Sequence, residues 1–250
     1  MGKIKTEEYQ LFAGGCDIKS NVKFNKLAEI FSQLADEQVE ELKHEYPFLN
    51  QNDAHWILVR YNIQINRMIP LGEAVTIATY QSSYSKYVCI RDYIVTDHAG
   101  EVLMLAQCQW VLRNESTGKI CAIPQEYATL TTQRVQQGFP PLDKIHEPDY
   151  SEERSFALQT RFYDYDFNGH VNNSVYFSYI LNDQFPVDLQ RYRIRTIDIH
   201  YKSGIVYGNS YRLVTEEQTE ENGLALYQKI YQGSDTAAVM ITHWEERNRA

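Results

Sequence analysis

The feature that most restricts the possible folds is that the chain contains itself twice. Asp17 and Val22 of the run Cys16–Phe24 recur in register as Asp166 and Val171 of the run Tyr165–Asn173. Each run leads into a helical pattern. In the first, Leu27, Ile30, Phe31, Leu34, Val39 and Leu42 approximate one apolar face, with Glu37, Glu40, Glu41 and Lys43 on the polar side. In the second, Val175, Tyr176, Tyr179, Ile180 and Leu181 do the same until Phe185-Pro186 stops the pattern. Further on, Ile63, Ile69 and Gly72 match Ile199, Ile205 and Gly208, and near the ends Trp110-Val-Leu-Arg-Asn114 meets Trp244-Glu-Glu-Arg-Asn248. Three blocks kept in one order specify a tandem repeat of one architecture.

Within each copy the remainder alternates as strands do: Tyr61–Ile65, Ala74–Ala78, Ile197–Tyr201 and Tyr207–Leu213. Asp97–Gly100 and Gln232–Asp235 have the composition of turns between antiparallel strands. Each copy is therefore a strand, a loop, a helix and an antiparallel meander. A sheet with one apolar face needs a cover, and the single apolar helix provides it. The expected class is α+β, a central helix wrapped by an antiparallel sheet, twice over. The expected boundaries are 1–132 for the first copy and 154–250 for the second. The stretch 133–153, which carries Gly138, Pro140, Pro141 and Pro148, is the expected linker.

Composition removes several function classes. A net charge of −9 opposes nucleic-acid binding. No apolar run reaches the roughly 18–20 residues of a membrane span, and the start lacks the apolar centre of a signal peptide, so the expected location is the cytoplasm. Cys16, Cys89, Cys108 and Cys121 form no CxxC pair and no metal spacing with histidine, so neither a metal nor another cofactor is expected. They read as reduced, mostly buried thiols.

Polar chemistry is densest where the copies differ most. Lys19 and Asn21 of the first become Asn168 and His170 of the second. The alternate spacing of Asp166, Asn168 and His170 lets an extended loop present all three to one cleft. Asn172 or Asn173 can cap the following helix, whose first amides suit an oxyanion. The residues alone leave two readings open, a catalytic loop and a plain Asp-x-Asn-Gly turn. The difference between copies favours the first.

The run Asp166-Phe-Asn-Gly-His-Val-Asn-Asn173, followed by Tyr176, resembles the Asp-x-Asn-x-His-Val-Asn-Asn motif of plant and bacterial acyl-acyl-carrier-protein thioesterases. Further segments resemble the bacterial members: Trp56-Ile-Leu-Val-Arg-Tyr61, Ile65–Gly72, Val75-Thr-Ile77, Gln109-Trp110 and Ile197–Tyr201. The resemblance covers nearly the whole chain. It implies a double hot-dog fold and hydrolysis of fatty acyl-carrier thioesters by water, with Asp166, Asn168 and His170 as the catalytic group. It also implies a substrate-binding role for Trp56, Val59, Asn172 and Asn173. The implied partner is an acyl carrier protein bearing a fatty acyl thioester, and the state is a monomer or homodimer.

The resemblance breaks at two positions. Where the family has a further catalytic glutamate and, in plant members, a cysteine, this chain has Gly204 and Ile205. A cysteine nucleophile is thereby excluded at that place. Either Asp166 and His170 suffice, or another group supplies the charge, or turnover is slow; His200 and Lys202 stand nearby on the strand that carries Asp198. For an acidic carrier, the basic run Arg191, Arg193, Arg195 with Lys202 is the expected docking patch. An acyl-coenzyme A thioesterase, a hydratase on the same fold and a non-catalytic acyl-binding protein are the rival readings.

Overall fold

The computed structural model describes residues 2–50, 54–151, 154–181, 187–188 and 190–247. Phe185, Pro186 and Asn248, and Glu152–Glu153 of the expected linker, lie outside the described residues. The chain divides into two compact units, Met1–Pro140 and Pro141–Ala250.

In the first unit the strands are β1 (Lys5–Gln10), β2 (Ala54–Ile65), β3 (Ala74–Tyr84), β4 (Cys89–Thr96) and β5 (Val102–Asn114), with the short β6 (Ile120–Cys121) paired to β5. All pair antiparallel, in the order β1-β3-β4-β5-β2. The helix α1 (Phe24–Glu45) buries Leu27, Phe31, Leu34, Gln38 and Leu42 at helical spacing. Lys43 and His44 in its last turn suit the negative end of the helix dipole. Gln38, 3% exposed, takes the stripe position expected for Val39. A buried amide survives there because its nitrogen donates to the Lys3 carbonyl (2.8 Å) and its oxygen accepts from Arg91 (2.5 Å). Phe31 stacks on Tyr93 at 4.4 Å, and the Tyr93 hydroxyl donates to the Phe31 carbonyl. Burial of such a ring contributes about 1.5–3 kcal/mol.

Two bulges shape this sheet. In β2 the pairing shifts between Leu58 and Arg60, so the helix-facing positions change from Trp56 and Leu58 to Tyr61, Ile63 and Ile65. Val59 is the extra residue. In β3 a second shift falls between Gln81 and Ser83.

The second unit repeats the plan with β7 (Ser155–Leu158), α2 (Val175–Ile180), β8 (Tyr192–Tyr201), β9 (Tyr211–Glu220), β10 (Gly223–Gln232) and β11 (Asp235–Glu246). Its strand order, β7-β9-β10-β11-β8, is that of the first unit strand for strand. Each unit is a hot-dog, and the fold is the expected double hot-dog. Both anticipated turns are present, with Gly100 at φ 81° and Gly233 at φ 58°, conformations that favour glycine. The expected strand Tyr207–Leu213 begins only at Tyr211, because Gly208 at φ 86° turns the chain first.

Residues 133–151 contain no helix or strand. Their first part lies on the first unit, where Arg134 pairs with the fully buried Asp92 at 2.8 Å. Their last part lies on the second, where Glu147 pairs with Lys229 at 2.8 Å. Among the described residues no helix is long and apolar enough to cross a membrane.

Candidate active site

The loop between β7 and α2 is closed by its own aspartate. Asp166 Oδ1 accepts from the amides of Asn168 (2.8 Å) and His170 (3.2 Å), and the Asp166 amide donates to the His170 carbonyl at 2.7 Å. Gly169, at φ 75°, makes the reversal possible. The first unit contains the same construction: Asp17 Oδ1 accepts from Lys19 and Asn21 at 2.8 and 2.9 Å, with Ser20 at φ 61°. The anchor is repeated too, since Val22 donates to the Ile69 carbonyl and Val171 to the Ile205 carbonyl, both at 2.8 Å.

The two copies share a backbone scaffold and differ in the side chains it carries. Asp166 holds the loop as Asp17 holds its counterpart, and what is new in the second copy is Asn168, His170 and the surface His170 meets. The expected extended loop is therefore a closed turn, and Asp166, Asn168 and His170 do not project side by side. The Asp166 carboxylate faces inward to the loop amides, Asn168 is exposed at the tip, and among the described residues no bond joins the Asp166 carboxylate to the His170 ring.

The His170 ring lies against Gly204. A Cβ placed on Gly204 would fall inside the envelope of His170 Cδ2, and 3.1 and 3.2 Å from Nε2 and Cγ. The position where the resemblance implies a glutamate is thus the floor beneath the imidazole, and only a residue without a side chain leaves the ring where it is.

Tyrosines brace this arrangement, and sequence reasoning passed over them. The Ile205 amide donates to Tyr176 Oη at 3.4 Å, Tyr179 donates to Asp164 Oδ2 at 3.0 Å, and Tyr201 donates to the Asn173 carbonyl at 3.0 Å. Burial pushes the Tyr176 and Tyr179 hydroxyls well above the ordinary tyrosine range, so they stay neutral donors or acceptors. The signal available was the tyrosine content, 19 residues. Exposed apolar side chains surround the loop: Phe162, Tyr163, Phe167 (97% exposed) and Tyr207, which packs on Tyr165 at 5.3 Å.

The other expected residues divide. Asn172 Oδ1 accepts from the Ser174 amide at 2.9 Å in the turn before α2, where the cap position is Ser174 and has no side-chain cap bond, while Asn173 contributes its carbonyl to Tyr201. The amides of Val171, Asn172, Ser174 and Val175 are already bonded within the protein, so these four do not point free into a site at the start of α2. Trp56 lines a cavity in the first unit with a volume of about 410 Å³; Val59, at its bulge, does not. Arg191 pairs with Glu246 at 3.0 Å, and Arg193 and Arg195 both pair with Glu245, at 2.8 and 3.3 Å. The basic run is thereby offset in part, three arginines against two glutamates of β11. Lys202 is exposed just past the end of β8 and, among the described residues, makes no ion pair. His200 is half-buried, its Nε2 3.4 Å from Asp198 Oδ1 but without a hydrogen bond, whereas Lys202 is exposed.

The family models for the acyl-ACP thioesterase N-terminal and C-terminal domains match residues 2–131 and 147–246. A chloroplastic acyl-[acyl-carrier-protein] hydrolase of Cuphea viscosissima is 24% identical over 211 residues, 81% of this chain and 51% of the relative. A chloroplastic palmitoyl-acyl carrier protein thioesterase of Arabidopsis thaliana is 26% identical over 164 residues, covering 62% of this chain and 40% of the relative. The chain thus spans about half the length, or less, of these curated relatives. Among solved structures, the 12:0-ACP thioesterase of Umbellularia californica superimposes with a TM-score of 0.81 at 17% identity, covering 98% of this chain and 94% of that one. An acyl-ACP thioesterase of Bacteroides thetaiotaomicron does so at 0.80 and 22%, covering 97% and 98%. With both halves matched in order and the same fold throughout, the chain belongs to the acyl-ACP thioesterase family.

Proposed function

We propose that the chain hydrolyses fatty acyl thioesters carried on acyl carrier protein, with His170 as the acid–base group and water as the nucleophile. One observation carries this reading: the second copy of a shared loop scaffold sets an exposed imidazole on a glycine floor, where the first copy has Asn21 and Met68. Membership of the family and the names of the relatives support it.

In the proposed step a ring nitrogen of His170 takes a proton from water as the water oxygen bonds to the thioester carbonyl carbon. The tetrahedral oxyanion collapses, the C–S bond breaks, and the leaving thiolate takes the proton from the imidazolium. The products are the free fatty acid and the thiol of the carrier. Asn168 at the loop tip donates to the carbonyl oxygen, and Asp166 positions both residues through their amides. A thiolate leaves readily, so one acid–base group and a well-placed donor suffice. Carrier docking rests on Lys202 and the exposed aromatic rim, with Arg191, Arg193 and Arg195 secondary because of their glutamate partners. The reading places the protein in fatty acid biosynthesis in the cytoplasm, as a monomer or homodimer.

The test is steady-state hydrolysis of acyl carrier protein substrates across chain lengths, beside the coenzyme A analogues, for the parent chain and His170→Ala. Turnover that is lost in His170→Ala and higher on the carrier substrate is the expected result. Equal rates for parent and variant would remove His170 from the mechanism, and a preference for coenzyme A would replace the substrate.

A further inference from the structure

The first unit holds a cavity whose two ends differ in chemistry. Its larger part, about 410 Å³, is walled by Leu42, Leu49, Trp56 and Leu130 among other apolar residues and also by Lys43 and His55, and it is large enough for an aliphatic chain. A smaller recess of about 60 Å³ shares Val39, Trp56 and Gln81 with it and adds Asp36, Arg91 and Trp110. The polar end results from strand register. Gln81 is directly opposite Arg91, and Trp110 is opposite Cys89, so side chains of three adjacent strands meet on the side that faces α1. The bulge between Gln81 and Ser83, and the bond from the Thr132 amide to the Gln81 carbonyl (2.8 Å), fix the backbone there.

Two polar atoms at this end have no hydrogen-bond partner: Gln81 Oε1 and Trp110 Nε1, both buried. Gln81 is 9% exposed. Buried polar groups are nearly always satisfied, so an open acceptor and an open donor lining one recess call for a ligand group that is both donor and acceptor. A carboxylate or an ammonium fits poorly. Arg91 already donates to Gln38 and to Thr79 (3.3 Å), and Asp36 in the same recess opposes its charge, so neither sign of ligand charge is favoured. A ketone answers the indole alone.

We propose that this cavity takes an aliphatic chain bearing a hydroxyl group, which accepts from the Trp110 indole and donates to the Gln81 amide oxygen. The inference deepens the proposed function by naming a hydroxylated acyl chain as the substrate class, and it rests on that reading for its link to turnover.

The experiment measures binding separately from hydrolysis. Intrinsic tryptophan fluorescence of the full chain, with Trp56 and Trp110 in the cavity wall, is titrated with two matched pairs: dodecanoate and 12-hydroxydodecanoate, octadecanoate and 12-hydroxyoctadecanoate. In at least one pair the hydroxylated member should bind about 10-fold tighter or more, because leaving both polar atoms unpaired disfavours the plain chain. Gln81→Leu and Trp110→Phe should each reduce that preference to near unity without weakening the plain chain, with Trp56 as the remaining reporter in the second. Equal affinity within both pairs, as a water bridging the two atoms would produce, overturns the inference, as does a preference that survives both substitutions. A hydroxyl preference without hydrolysis of any acyl-carrier substrate defeats only the proposed function; hydrolysis without the preference defeats only this inference.

Discussion

Replacing Gly204 with alanine adds one methyl group at a point where the three nearest heavy atoms all belong to the His170 ring. Gly204 does not have a left-handed φ and is exposed, so alanine fits its backbone and removes no core contact. The new Cβ would stand 3.2 Å from His170 Cγ and overlap Cδ2. Restoring an ordinary carbon separation of about 3.5–4.0 Å requires the ring to withdraw by about 1 Å or more. A misplacement of about 1 Å in a positioned group costs on the order of 100-fold in rate. The expected outcome is a kcat for acyl-carrier hydrolysis lower by about 10- to 100-fold, with KM little changed and the thermal midpoint within a few degrees of the parent. Released thiol followed with a chromogenic reagent gives the rates. Gly204→Glu should be at least as damaging, although the family resemblance implies glutamate there. A folded Gly204→Ala protein with a rate within twofold of the parent would refute the reasoning.

Other changes give separate checks. Asp166→Ala and Asp17→Ala each remove two amide bonds and should lower stability similarly, by about 1–3 kcal/mol in a denaturant series, while only Asp166→Ala slows hydrolysis; equal rate loss in both would mean that the loops are not functionally distinct. Lys202→Glu should raise KM for a carrier-bound substrate by a few-fold more than for its coenzyme A analogue, and more than Arg193→Glu does, since Glu245 already offsets Arg193. Burial pushes the Cys89 thiol up to about 11 from an ordinary 9.0. The folded state then keeps a proton that the unfolded chain releases, so the contribution is fully present below about pH 9 and is lost as pH rises towards 11, by about 2–3 kcal/mol. Cys89→Ala should flatten that alkaline slope, and an unchanged slope would show that another group sets it. In alkylation at pH 8, the half-buried Cys121 should react before Cys89.

Much of the fold is legible in the sequence because it is local. Helical spacing from Leu27 to Leu42, alternation in the strands and glycine at Gly100 and Gly233 each report a backbone preference within a few residues. The repeat multiplies that information, which is why the matching strand orders follow from matched segments. The reading fails where local order is interrupted. One inserted residue at Val59 reverses the facing of β2, leaving Trp56 on the cavity and Val59 off it, and no periodicity announces a bulge. Gln38 replaces Val39 in the buried stripe because Lys3 and Arg91, distant in the chain, satisfy its amide.

The site shows the same division. That residues 166–170 form a special loop was readable from its composition and from its weaker twin at Asp17–Asn21. That Asp166 turns inward was not, because alternate spacing implies a shared face only in an extended chain, and the carboxylate closes this loop instead. Arg191, Arg193 and Arg195 read as a basic patch until β11 places Glu245 and Glu246 against them. Gly204 read as a missing acid until the loop brought His170 onto it. By itself the sequence determined the duplicated hot-dog plan, the family and which copy of the loop carries a histidine, since these depend on pattern and residue type. Only the tertiary structure decided which side chains meet, because contact between segments far apart in the chain depends on strand register, bulges and packing, which no single stretch of sequence encodes.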